Sequence, residues 1–197
     1  MLFRSLDDWN LDSPIPLGQP GHTQALDPGK WTGPDDLSAH VWTAWDDSHF
    51  YIAARAKDDV FRQTSSGPDM WQGDSIQFGL DPLHIEGRGL GTFYEIGLAQ
   101  TPKGPQVYCW HAPEGGKTGL VEGAKLAVKR EGDFTIYEAS IPLASLAPLK
   151  PALGKTVGFA LVTNDDDGEG RKGWLEWNTG IAMEKNPGLF GDITFVR

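Results

Sequence analysis

Trp71 stands in the run Pro68-Asp69-Met70-Trp71-Gln72-Gly73-Asp74, whose composition is that of a surface connection. A large indole placed there has no obvious core to serve. Directly after it Ile76, Phe78 and Leu80 alternate with Ser75, Gln77 and Gly79, the two-residue period of a strand with one apolar face. Gln77 therefore points away from the core, toward the loop that carries Trp71. A flat ring beside a carboxamide suits a saccharide: pyranose C–H faces pack on aromatic rings, and hydroxyls need donors and acceptors. The alternative is that Trp71 folds back as a plug over its own loop.

Two further clusters have chemistry to offer. Tyr94 and Glu95 lie in Thr92–Ala99, and on the next segment Gln106, Tyr108 and Trp110 share one face while Val107 and Cys109 take the other. The aromatic face either lines a groove or makes ordinary cross-strand pairs. The run Asn164-Asp165-Asp166-Asp167-Gly168-Glu169-Gly170-Arg171 concentrates carboxylates in a turn. Such a turn is solvated and self-capped, or it holds a hard cation such as calcium, which takes six to eight oxygens. Asp58, with Asp59, and Asp74 carry the same ambiguity, and the spacing is not that of an EF-hand loop. Trp174 and Trp177 are three residues apart and cannot share a strand face, so one goes inward and the other outward.

Catalytic sets are absent from the pattern. Glu95, Glu138 and Glu176 each sit in a strand that explains them otherwise, although a glycosidase pair is conceivable in principle. His22, His40, His49, His84 and His111 lack metal-ligand spacing, and Gly87-Arg88-Gly89-Leu90-Gly91 reads as a flexible loop rather than a phosphate cradle.

The positioning elements are strands. Alternation marks 37–45, 50–57, 74–80, 92–99, 106–111, 125–130, 134–141, 156–164, 173–178 and 192–196, and 25 Gly and 14 Pro supply the turns between them. The expectation is an all-β fold, an antiparallel β-sandwich of jelly-roll or immunoglobulin-like type with about ten strands and little helix. Only Pro142–Pro148 suggests a helical turn. The 197 residues fit a single module, 1–197, in which 1–30 forms an irregular wrap or, through Ile15 and Leu17, an edge strand, and 31–197 forms the core. A net charge of −10 disfavours nucleic acid, and no apolar run reaches the roughly 18 residues of a membrane span. Lone Cys109 reads as a small buried hydrophobe, and Met1-Leu2-Phe3-Arg4 does not open a signal peptide.

Six motifs in order carry a resemblance. Trp31-Thr32-Gly33-Pro34-Asp35-Asp36-Leu37-Ser38-Ala39, Ala44-Trp45-Asp46-Asp47 with Phe50-Tyr51-Ile52, Trp71-Gln72-Gly73-Asp74-Ser75-Ile76-Gln77, Tyr137-Glu138 with Ile141-Pro142, Asn164-Asp165 and Phe190-Gly191 together resemble family 9 carbohydrate-binding modules. The resemblance implies a DOMON-like β-sandwich with structural calcium and a sugar-chain end clamped between two tryptophans. Trp71 matches one of them. The segment expected to hold the other reads Ile181-Ala182-Met183-Glu184-Lys185, so Met183 becomes the candidate second wall. Gln77 stands where the family has an acidic residue, and Glu95 where it has an arginine.

The chain thus reads as a noncatalytic carbohydrate-binding module. The residues expected to contact sugar are Trp71, Gln77, Tyr94, Glu95, Trp110, Asn164, Trp177, Met183 and Lys185. Those expected at calcium are Asp58, Asp74, Asp165, Asp166 and Asp167. The setting expected is a larger extracellular or cell-envelope protein, with a covalently linked catalytic domain acting on polysaccharide. The alternatives are a DOMON-like haem or interaction domain, for which Met70, Met183 and His111 are the available ligands, and a structural spacer.

Overall fold

The computed structural model describes residues 6–19, 31–84 and 91–196. Among them are twelve strands: β1 (Ile15–Leu17), β2 (Leu37–Trp45), β3 (His49–Asp58), β4 (Ser75–Asp81), β5 (Tyr94–Thr101), β6 (Gly104–His111), β7 (Gly119–Leu120), β8 (Lys125–Glu131), β9 (Phe134–Pro142), β10 (Thr156–Asp165), β11 (Gly173–Trp177) and β12 (Gly191–Thr194). All pair antiparallel in two sheets. The smaller runs β1-β2-β3-β9-β8; the larger runs β11-β10-β4-β5-β6-β7, with β12 also on β10, beyond the end of β11. The β-sandwich is as expected. Ile15 and Leu17 do form an edge strand, while the two-residue β7 is too short to show in any alternation. Of the rest of the proposed 1–30 wrap, residues 6–14 hold one 3₁₀ turn, Leu6–Asp8, while 1–5 and 20–30, His22 included, lie outside the described residues, as does the Gly87–Leu90 part of the glycine loop.

Inward-facing side chains of both sheets build the core. Phe50 from the smaller sheet meets Phe78 and Phe159 from the larger one, with ring centroids 6.2 and 6.4 Å away, and Ile52, Leu80, Ile96, Tyr137 and Leu161 pack around them. Hairpin turns are set by short polar side chains: the Asp46 carboxylate accepts from the amides of Ser48 and His49, both at 2.8 Å, and closes β2 onto β3.

One expectation changes. The alternation of β4 predicts one apolar and one solvated face, yet all seven residues of β4 are buried. The larger sheet carries a second apolar layer on its outer face, made by Phe93, Ala160, Val162, Ile181 and Phe190. The last two come from the chain that follows β11 and folds back over the sheet. Gly79 makes that approach possible: a Cβ there would lie 2.4 Å from the Phe190 ring. Helix is confined, among the described residues, to 3₁₀ turns, including the expected one at Leu143–Leu146 and another at Gly67–Gln72. No helix among these residues is long and apolar enough to cross a membrane.

Candidate functional site

Trp71 sits in the Gly67–Gln72 turn, which two hydrogen bonds fix to β6 and a third to the Gln63 side chain, itself tied to the residue before β4. Gln106 Oε1 accepts from Gly67 N at 2.8 Å, Trp110 Nε1 donates to Pro68 O at 2.8 Å, and Gln63 Nε2 donates to Met70 O and Asp74 O at 2.8 and 3.1 Å. Successive residues of a 3₁₀ turn point about 120° apart. Met70 therefore goes fully inside as an anchor while its neighbour Trp71 is turned out, 38% exposed. The indole is not a plug over its own loop.

The ring borders a cavity of about 440 Å³ on the outer face of the larger sheet, lined by Trp71, Gln77, Glu95, Trp110, His111, Arg171, Ile181, Ala182 and Lys185. The floor is built by strand alternation and one irregularity. Gln77 on β4 is paired with Gly97 on β5, and Glu95 lies two residues before Gly97, so both acidic and amide groups point outward. Gly97 leaves the space that Trp110 fills: a Cβ there would lie 2.4 Å from the Trp110 ring. Between β5 and β6 the register slips, Ile96 facing Cys109 but Glu95 facing His111. The extra residue, Trp110, makes a β-bulge, which brings Trp110 and His111 to the same side although they are adjacent.

Polar contacts hold the walls. Lys185 Nζ donates to Glu95 Oε1 at 2.6 Å and to Ile181 O at 2.5 Å, tying the chain after β11 to the sheet. Asn164, fully buried, gives its amide protons to Ser75 Oγ and Gln77 Oε1 at 2.9 and 3.2 Å and accepts from Arg171 Nη2 at 2.5 Å. Because the Gln77 oxygen is taken by Asn164, its NH₂ is what remains for the cavity. The Arg171 guanidinium lies 3.7 Å from the Trp174 ring centroid and 5.2 Å from that of Trp71.

Five of the nine residues expected at sugar thus meet here: Trp71, Gln77, Glu95, Trp110 and Lys185. The other four do not line the cavity. Tyr94 faces the core with its hydroxyl on Ala147 O at 2.6 Å, and borders a separate cavity beside Cys109 and Pro148, because strand neighbours such as Tyr94 and Glu95 must take opposite faces. Trp177 also turns inward, toward Phe159, which leaves Trp174 as the outward member of that pair. Asn164 lies one layer below, where it orients Gln77 and Arg171. Met183 is 70% exposed on the surface and forms no wall. Sequence reasoning missed Arg171, seen only as the end of an acidic turn, and His111, which ideal alternation puts inward and the bulge puts outward. Of the haem candidates only His111 lines the cavity; Met70 is enclosed and Met183 is at the surface.

The acidic turn lies next to this site. Asp74 and Asp166 serve backbone amides: Asp74 accepts from Asp166 N at 2.9 Å and from Arg62 N, and Asp166 Oδ1 accepts from Gly168 N and Gly170 N at 2.7 and 3.0 Å. Asp58, Asp165 and Asp167 do converge, in two groups whose carboxylate oxygens lie within 4.8 Å: Asp36, Asp165 and Asp167, and Asp58, Asp59 and Asp167. Lys172 Nζ already bridges the first, 2.5 Å from Asp36, 3.5 Å from Asp165 and 2.7 Å from Asp167. Arg130 reaches Asp58 of the second at 3.3 Å. Charge is still short of balance. Burial, reinforced by Asp58, pushes the Asp74 carboxyl to about 9. Burial also raises Asp165 to about 7 against the pull of Lys172, and Asp165 Oδ1 is buried without a hydrogen-bond partner.

The three glutamates able in principle to act as acid and base are placed differently. Glu138 stands in the smaller sheet, while Glu95 and Glu176, on strands three spacings apart in the larger one, are taken up by Lys185 and by the Ala182 amide.

Comparison with known proteins agrees with the fold. Residues 21–197 match the family model described as carbohydrate family 9 binding domain-like. A family 9 carbohydrate-binding module from Caldicellulosiruptor kristjanssonii, solved with cellotriose, has 20% identity and a TM-score of 0.70, over 96% of this chain and 85% of that one. A structure of a family 9 module from the same organism with glucose gives 20% identity and a TM-score of 0.66, over 92% and 84%. A search of curated proteins gives no significant match.

Proposed function

Because this chain belongs to the carbohydrate family 9 binding domain-like family, a family of binding domains and not of enzymes, we propose that it binds a saccharide in the cavity between Trp71 and Trp110. The observation that carries this is the cavity's composition: two indoles from different elements, each held by named contacts, with amide, carboxylate and ammonium groups around them. Apolar surface for a sugar face and fixed groups for its hydroxyls are what a neutral ring requires. Trp110 takes the part of the second aromatic that the segment Ile181–Lys185 does not supply. That the similar modules from Caldicellulosiruptor kristjanssonii were solved with cellotriose and glucose supports β-glucans as the first ligands to try. We further propose that the domain tethers an extracellular or envelope-associated catalytic partner to polysaccharide, since a domain that holds but does not cleave sugar is useful by raising local concentration.

The acidic end fits a hard cation of the calcium type, which the family resemblance implies. The fit rests on the orphaned Asp165 Oδ1 and on the converging oxygens of Asp58, Asp59 and Asp167. Calcium there would supply positive charge to carboxylates that burial otherwise forces toward protonation. Asp74 and Asp166 anchor the turn in either case.

Isothermal calorimetry with cellotriose and a panel of other soluble oligosaccharides tests the reading. Trp71→Ala and Trp110→Ala should each weaken binding by about 5- to 150-fold, the equivalent of about 1 to 3 kcal/mol for a buried stacking face. Absence of any tryptophan-dependent binding across neutral and acidic glycans would overturn it.

A further inference from the structure

Arg171 is the residue of the cavity whose chemistry neutral sugar leaves unexplained. Its guanidinium lies between the rings of Trp71 and Trp174, its hydrogen bond goes to the neutral Asn164 amide, and its Nε is buried with no partner. Among the described residues no carboxylate is paired with it. The two acids nearby are otherwise engaged. Glu95 is bound by Lys185 at 2.6 Å, and Glu176 Oε1 accepts from Ala182 N at 3.2 Å. Burial raises the Glu176 pKa and pulls that of Arg171 down to about 10; the attraction between the two, which form no ion pair in contact, offsets this only in part. A second cation, Lys185, lines the same cavity and is 47% exposed at its side chain.

A desolvated guanidinium with no carboxylate in contact is costly, and a planar carboxylate is the partner that its fork of donors fits best. Stacking on Trp174 fixes the plane of that fork, so a carboxylate is met without ordering a mobile side chain. The chain's net charge of −10 does not oppose this at contact range, because charges beyond about 8 Å are largely screened at physiological salt. We propose that the cavity is specific for an acidic sugar, a hexuronate unit whose ring lies against the indoles and whose carboxylate pairs with Arg171, assisted by Lys185. The inference rests on the carbohydrate-binding reading and adds the class of sugar.

The test compares three ligands of equal length by calorimetry: cellotriose, its C6-carboxylated form, and the methyl ester of that form, which keeps the shape and removes the charge. The free acid should bind at least tenfold tighter than its ester. In Arg171→Gln the ratio of acid to ester should fall below twofold, whatever affinity the two retain. If Arg171→Gln does not fold, wild type decides alone: the acid-to-ester ratio should shrink between 50 and 500 mM salt. Equal, tryptophan-dependent binding of all three ligands would overturn the acidic specificity and leave the carbohydrate reading intact. Failure of all three, together with the wider glycan panel, would overturn both.

Discussion

At the residue scale the site depends on one missing side chain. Gly97 is the only residue type that lets the Trp110 ring reach the sheet, since any Cβ would meet it at 2.4 Å. Gly97→Val should therefore expel Trp110 and abolish most saccharide affinity, a loss of about tenfold or more, while circular dichroism stays that of a β-sandwich. Retention of wild-type affinity would mean that Trp110 is not part of the platform. In the core the balance is different: Phe78 stacks on Phe159 at 5.8 Å and is fully enclosed, so Phe78→Ala should cost about 3 to 5 kcal/mol in denaturant unfolding. Phe78 was legible, because the alternation of its strand names inward residues directly. Trp110 was legible as an outward aromatic. His111 was not, because a bulge leaves no mark on periodicity.

At the element scale, the chain between β10 and β11 couples the acidic end to the Trp71 cavity. Asp166 caps the turn through Gly168 N and Gly170 N, and Arg171 follows directly. Removing that cap should cost about 0.5 to 2 kcal/mol, by analogy with other side-chain caps of backbone amides. Asp166→Ala is accordingly expected to lower the thermal midpoint slightly and to weaken saccharide binding, although Asp166 lines no part of the cavity. Unchanged affinity in calorimetry would show that Arg171 is placed by Trp174 and Asn164 without help from the turn. The sequence announced a carboxylate-rich turn here, but it could not divide the work. Asp74 and Asp166 hold amides, Asp165 and Asp167 face Lys172, and Asp36, 129 residues before Asp165, joins them only through the fold. Pairings over such separations leave no local pattern to read. The covering of β4 was hidden for the same reason: Ile181 and Phe190 arrive from a distant connection.

For the whole molecule, stability should follow the acidic end. Asp74 at about 9 and Asp165 at about 7 are raised above the values of an unfolded chain, near 4. Folding therefore takes up protons at these groups. Their contribution is complete below about pH 4 and is lost as pH rises through 7 and then 9. Chelator-treated protein should show a falling thermal midpoint between pH 5 and pH 9. Calcium should raise the midpoint more at pH 8 than at pH 5, by several degrees at a hundredfold excess over Kd, where linkage gives about 2.7 kcal/mol. A midpoint indifferent to both would leave the acidic end as an ordinary network served by Lys172. The larger sheet is also a partition. Its inner surface holds the aromatic packing that closes the sandwich, and its outer surface holds the cavity bordered by Trp71 and Trp110. Descendants of this chain can exchange one sugar preference for another by altering Trp110, Arg171 or Lys185 without touching the Phe50, Phe78 and Phe159 packing, because the partners to be re-fitted, Pro68 O, Asn164 and Glu95, all belong to the outer side of the sheet or its margin.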